Sequence, residues 1–395
     1  MSMRAMALLS VAVVACGTAE QPSTERTDGS RGDAMLTLRD TFRISAEDAD
    51  LTMVGYFTVS PDGRMVVTQP RDGQIKVFAD SGPPLVVGRS GEGPGEFSNL
   101  TRIGWVGDTL WALDPNLMRV SRFDRDFTFL GATPHPMELV LDDGVADTAG
   151  GASGQFVQAL LPGDALRILA PFSPSRRPRW AAGIDSGSNP LLRVTQDGRI
   201  VRRLAVVPPD RCMVRFAIGS SGSGMSRIPF CSGVLETSWE GGAEVAILLM
   251  TPPDLGSPVY SLTVINADGD TTLSRTYPYT PIPVTPRAVD SLRARVESSF
   301  ASLPKLVRDA RPDLEPAATY PPVRRLVLGR DHSLWLEEQH SEPGHHWLAL
   351  SPTGDPVGRV WLAPNVVLKA ADRGTIWATE EDPDGLLGLV RYRIE

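Results

Sequence analysis

The chain has 395 residues, 42% of them hydrophobic, which is material for one large domain or two to three average ones. A formal net charge of −8 disfavours a polyanion such as nucleic acid as partner. With 37 glycines and 34 prolines, turns must be frequent, which favours many short strands over a helical bundle.

Residues 1–16 read as a lipoprotein signal peptide. Arg4 stands in a weak basic region, Ala7 to Ala15 is a short apolar run, and Val13-Val14-Ala15-Cys16-Gly17 places small residues around a cysteine. The expectation is a lipobox in which Cys16 takes a diacylglyceryl group. Such an anchor attaches a protein to a membrane without spanning it, and no apolar stretch in the sequence reaches bilayer length. Gly17, in place of Asp, predicts passage to the outer membrane in a Gram-negative cell, with the mature protein lipid-anchored in the cell envelope. Residues 17–34 are rich in Ser, Thr, Gly, Glu and Arg without hydrophobic periodicity, the composition of a flexible tether.

From residue 35 to 395 a degenerate unit recurs: apolar strand, Gly turn, strand, loop, strand, Gly turn, strand. Six copies are expected: Tyr56 to Gly88, Arg102 to Leu130, about Gln155 to Val207, about Cys231 to Tyr279, Arg324 to Leu362, and Val366 to Ile394. The third carries an insert in its middle loop, around Pro174 to Asn189. The last supplies only three strands, and Met35 to Ile44 is a strand left over before the first. The economical solution is an all-β, six-bladed β-propeller closed by its own N-terminal strand, which hides edges that would otherwise invite aggregation. One segment departs from the β pattern. Thr285-Pro286 opens a run with Val289, Leu292, Val296, Phe300 and Leu303 at spacings near three and four, predicting an amphipathic helix over about 286–303, between the fourth and fifth blades. Cys212 and Cys231 remain after Cys16 is assigned, and an oxidising compartment would join them in a disulfide.

Gly88-Arg89-Ser90-Gly91-Glu92-Gly93-Pro94-Gly95-Glu96-Phe97, then Leu110-Trp111-Ala112-Leu113-Asp114 and Arg119-Val120-Ser121-Arg122-Phe123-Asp124, resemble the NHL-like six-bladed propellers of exported bacterial proteins. In that family a Gly-rich link ends one blade and an aromatic residue starts the next. The resemblance implies a fold, while functions in the family run from scaffolding to lyase and lactonase chemistry.

Several motifs invite a chemical reading. The Gly88 to Phe97 loop lacks the Lys-Ser/Thr and the helix of a phosphate cradle, so its glycines are expected to serve a tight crossing between blades. His340, His345 and His346 stand near Glu337, Glu338 and Glu342, types that can ligate Zn²⁺, but the spacing matches no metal motif and solvated loop residues are expected. The acidic Glu380-Glu381-Asp382 is likewise expected to be a solvated loop and not a Ca²⁺ site. No catalytic residue, metal or cofactor is nominated.

In a four-stranded blade, the second-to-third loops and the blade-to-blade links share one face. That face would collect the long and chemically rich segments, including Arg89, Glu92, Asp114, Asn116, Glu338, His340, His345 and Glu381, the insert near Arg176 to Trp180, and the helix packed on its Val289, Leu292 and Val296 side. The resulting expectation is a non-catalytic binding or scaffold module taking a protein, peptide or glycan ligand at the loop-rich face. The alternatives are a metal-dependent hydrolase or lyase at the channel mouth, and a structural subunit of an envelope complex.

Overall fold

The computed structural model describes residues 34–136, 138–141, 156–170, 181–185, 187–220, 222–238, 244–301 and 303–395. The expected signal peptide with Cys16, the tether up to its last residue, and the segment Arg176 to Trp180 lie outside them.

The strands form six four-stranded antiparallel sheets, arranged as the blades of a propeller. Blade one comprises β2 (Phe57–Val59), β3 (Met65–Gln69), β4 (Gln74–Phe78) and β5 (Leu85–Val87). Blade two comprises β6 (Arg102–Val106), β7 (Thr109–Asp114), β8 (Arg119–Phe123) and β9 (Phe129–Pro134). Blade three comprises β10 (Phe156–Leu160), β11 (Leu166–Leu169), β12 (Asn189–Val194) and β13 (Ile200–Val207). A hairpin, β14 (Met213–Ile218) and β15 (Gly222–Arg227), precedes blade four, which comprises β16 (Val234–Ser238), β17 (Val245–Thr251), β18 (Val259–Ile265) and β19 (Thr271–Pro278). Helices α1 (Pro286–Ala301) and α2 (Lys305–Ala310) then lead to blade five, comprising β20 (Val323–Leu328), β21 (Leu334–Glu338), β22 (His345–Leu350) and β23 (Pro356–Leu362). Blade six comprises β24 (Val366–Ala371), β25 (Thr375–Glu381) and β26 (Leu387–Ile394), completed on its outer edge by β1 (Leu38–Ile44).

The closure is the expected one. β1 runs antiparallel to β26, with Leu38 opposite Ile394 and Ile44 opposite Leu389. Just before it, Leu36 donates its N–H to the Arg359 carbonyl and Arg359 donates to that of Ala34, both at 2.8 Å, so the chain crosses the edge of blade five on its way to blade six.

Strand position within a blade explains the hydrophobic pattern. Inner and middle strands are covered on both faces by neighbouring blades and read as apolar runs: β3 is buried at every residue, and β7 at all but its first. Outer strands have one wet face, and β9 alternates along its whole length. The core is accordingly a ring of layers between blades. Phe97, Ile103 and Leu110 meet Val66 and Val77 between blades one and two, Leu248 and Leu262 meet Leu334 and Leu348 between four and five, and Trp377 and Leu389 meet Phe57 and Met65 across the closure.

Two features differ from the sequence reading. The segment between the expected third and fourth copies, which no copy claimed, forms the β14–β15 hairpin, with its turn at Gly219 (φ 62°). The helical insert holds a second short helix, α2, beyond the expected one. Thr285 caps α1, its Oγ1 accepting the Ala288 N–H at 3.3 Å. Among the described residues, no helix is long and apolar enough to cross a membrane.

Candidate functional site

Because strand direction alternates within each blade, the short turns that follow each first and third strand fall on one face, and the remaining loops and blade links on the other. The short-turn face is closed by turn-to-turn contacts. Asp331 of blade five pairs with Arg373 of blade six at 2.7 Å, and His332 meets Glu244 of blade four at 2.7 Å.

The loop-rich face carries α1, α2, the β14–β15 hairpin and the Gly-rich link, and a cleft of about 660 Å³ opens between α1, the chain that follows the hairpin and the innermost strands of blades four and five. Its apolar floor is Leu235, Met250 and Val323, and Leu292 and Val296 of α1 form one wall. Thus α1 does turn its Val289, Leu292 and Val296 side inward, half-buried, as its periodicity predicted. Arg227, Arg311 and Arg324 also line the cleft.

Four ties hold these segments in place. The predicted disulfide joins Cys212 to Cys231 at the base of the hairpin. Ala317 donates its N–H to the Pro229 carbonyl at 2.9 Å, and Tyr320 donates to Ile282 at 2.9 Å. The rings of Phe230 and Tyr320 meet edge to face, 5.1 Å apart. The arginines are fixed as well. Arg227 pairs with Asp210 at 2.7 Å, and Arg324 lies 3.2 Å from the carboxylate of the fully buried Glu337. Arg325 lies 3.1 Å from Glu337 and His345 Nδ1 2.8 Å, so this single carboxylate faces two guanidinium groups and an imidazole.

Polar groups also meet between the inner strands of blades two to four. Arg102 donates to Gln158 Oε1 at 2.7 Å and lies over the Tyr56 ring. Burial lowers the Arg167 guanidinium to about 10. Burial pushes the Glu236 carboxyl up, against the pull of Arg167 and Arg102.

The residues nominated from sequence do not converge on one site. Asp114 is corrected: its carboxylate is buried and accepts the N–H groups of Ser98, Asn99 and Leu117 at 2.7 to 3.0 Å, so it staples the link between blades one and two and presents nothing to a ligand. His345 is corrected likewise. It is buried, with Nδ1 2.8 Å from Glu337 and Nε2 3.2 Å from the Pro364 carbonyl, so both ring nitrogens are taken up by the protein's own groups. Arg89 pairs with Glu96 at 2.6 Å, Glu92 is exposed, and exposed Asn116 accepts from Asn99 at 3.3 Å. Glu338 pairs with Arg359 beside the cleft residue Gln339, and His340 is exposed on the next loop. Glu380 and Glu381 end strand β25 and are not loop residues, although Glu381 is exposed. The Gly-rich link is structural, as expected: its own Glu96 carboxylate takes the Gly93 N–H at 2.8 Å, and a Cβ at Gly88 (φ 79°) would lie 2.6 Å from the Phe97 ring.

Sequence reasoning missed Arg227, Met250, Tyr320 and Arg324. The positive character of 227, 311 and 324 was visible, but nothing local joins segments so far apart in the chain.

The fold and face define this protein as a six-bladed β-propeller with a helix-walled cleft beside its channel. No protein-family model matches the sequence, and no curated protein matches it. Solved structures with a similar fold include a member of the DUF4221 family from Bacteroides vulgatus (8% identity over 92% of this chain and 99% of that one, TM-score 0.49). They also include virginiamycin B lyase from Staphylococcus aureus (13%, 91% and 99%, 0.39) and the aldose sugar dehydrogenase of Streptomyces coelicolor (12%, 92% and 100%, 0.39).

Proposed function

We propose that this chain is an exported, lipid-anchored propeller of NHL-like type that acts as a binding module, holding a ligand with an apolar body and an anionic end, such as a peptide carboxylate, in the cleft between α1 and blades four and five. One observation carries the reading: an apolar floor and wall of Leu235, Met250, Val323, Leu292 and Val296 is combined with three lining arginines, Arg227, Arg311 and Arg324. Guanidinium groups pair bidentately with carboxylates, and apolar surface rewards the rest of such a ligand. Export is supported by the lipobox sequence ending at Cys16 and by the Cys212–Cys231 bridge, which suits an oxidising compartment.

The test uses 8-anilinonaphthalene-1-sulfonate, a probe that is both apolar and anionic. One saturable site per chain is expected, weakened about tenfold or more by Leu292→Glu and by Arg324→Ala. Absence of saturable binding, or binding indifferent to both changes, overturns the assignment. Anchoring is tested separately: Cys16→Ser should move the protein from the membrane fraction to the soluble one, and unchanged fractionation would end the lipoprotein reading.

A further inference from the structure

We propose that His340, Glu342 and His346 form a binding site for a divalent transition-metal ion of the zinc class, on the loop-rich face of blade five and separate from the cleft. The spacing His-x-Glu-x₃-His is not a recognised motif, and the fold is what assembles it. His346 lies near the start of β22, while His340 and Glu342 lie on the loop that leads into it. That loop is pressed onto the outer strand. Trp361 Nε1 donates to the Pro343 carbonyl at 3.1 Å, and Gly344 turns the chain at φ 110°, where a Cβ would lie 2.5 Å from that same indole nitrogen. Held this way, the His340 ring stacks on that of His346 with centroids 3.9 Å apart.

One ligand atom from each of the three residues falls within 4.8 Å of the others. Two imidazole nitrogens and a carboxylate oxygen form a donor set that zinc accepts. Ring stacking alone would account for two histidines together, but not for a carboxylate at the third corner. A second observation points to a missing partner: His346 Nε2 is buried and has no hydrogen-bond partner. His340 has only one bond to give up, the 3.1 Å bond its Nδ1 accepts from the Glu342 N–H. The nearby Arg359 is already paired with Glu338. Three protein ligands leave a coordination position open toward a groove of about 760 Å³, bounded by Met35 and Trp361, where water or a ligand carboxylate fits.

The experiment is calorimetric titration of ZnCl₂ into the full chain, purified in detergent with a tag that contains no histidine. One ion per chain in the micromolar range or tighter is expected. His340→Ala and His346→Ala should each weaken binding by about tenfold or more. Co²⁺ should give visible bands of four-coordinate geometry that disappear in the same variants. His340 is exposed on a loop, so its substitution leaves the fold intact, which an unchanged melting curve of the metal-free protein verifies. His332→Ala, on the opposite face, should bind as wild type. Absence of binding, or binding that survives the double substitution of His340 and His346, overturns the proposal.

Discussion

The guanidinium of Arg330 donates to the backbone carbonyl of Ser60 at 3.0 Å. Arg330 follows the first strand of blade five and Ser60 the first strand of blade one, so the bond passes over blade six. It also donates to Pro61 at 3.0 Å and lies over the Trp377 ring of blade six at 5.2 Å. One side chain therefore joins three blades on the short-turn face. Arg330→Ala should lower stability by about 2 kcal/mol in urea denaturation, because it removes charge-assisted bonds to two carbonyls, of which Ser60 keeps only its Gly63 N–H. A change within error would show that the turns hold the face without it.

Removing residues 17–33 should leave the melting temperature unchanged, whereas extending the deletion through Ile44 should be severe. The second deletion opens the β26 edge and strips Leu36, Leu38, Phe42 and Ile44 from the layers they pack against. At half burial each, these four side chains contribute roughly 3 to 6 kcal/mol together. Equal melting curves for the two truncations would refute closure by β1.

Asp114→Ala should cost about 3 kcal/mol, since three backbone N–H groups lose their acceptor in a buried place. Binding of the sulfonate probe should be unaffected when measured well below the melting temperature. Loss of probe binding with unchanged stability would reverse this reading of Asp114.

Replacing Cys212 and Cys231 by serine should lower stability by about 3 kcal/mol, the usual effect of opening a loop this long; the two residues are 19 apart. Hydrogen exchange should quicken in β14 and β15 first, and leave blades one, two and six as they were.

Stability should decline in acid for a reason that can be assigned. Burial alone would push the Asp331 carboxyl up, but bonds from Ser333 and Arg373 outweigh it and hold the group below its ordinary value. Asp197, bonded by Thr195, and Asp355, bonded by Thr353 and Arg275, are also held low. A carboxyl depressed by folding contributes stability that is present above its unfolded pKa, near 3.9, and is lost as the pH falls through the folded value. Denaturation midpoints should therefore fall below about pH 4, and Asp331→Asn should flatten part of that decline. A slope unchanged in the variant would remove Asp331 from the account.

The sequence carried the architecture because a blade writes itself locally. Leu110-Trp111, Leu334-Trp335 and Ile376-Trp377 all stand near the start of second strands, and the turns at Asp197-Gly198 and Asp268-Gly269 follow third strands. The leftover strand Met35 to Ile44 had one place to go. The hairpin was illegible because Gly222-Ser223-Gly224-Met225-Ser226-Arg227 contains no strand-forming run, and its pairing depends on β14 and the disulfide. The cleft was illegible for a different reason: Arg227, Met250, Leu292 and Arg324 come from four segments, and no periodicity within any one of them reports the other three. Asp114 misled because an acidic residue at a strand end reads as exposed unless its backbone partners are known.

Closure by the terminal strand also sets a clock. Thr41 hydrogen-bonds the carbonyl of Arg391, 350 residues later. At ribosomal speeds that separation is a wait of roughly 20 to 70 s before the first strand made can meet the last. During the wait β1 is an orphan edge, open to pairing with any other strand. Its composition suits that interval: Arg39, Asp40, Thr41 and Arg43 alternate or cluster with its few apolar residues, so the strand remains soluble and a poor template for other chains until its own partner has been synthesised.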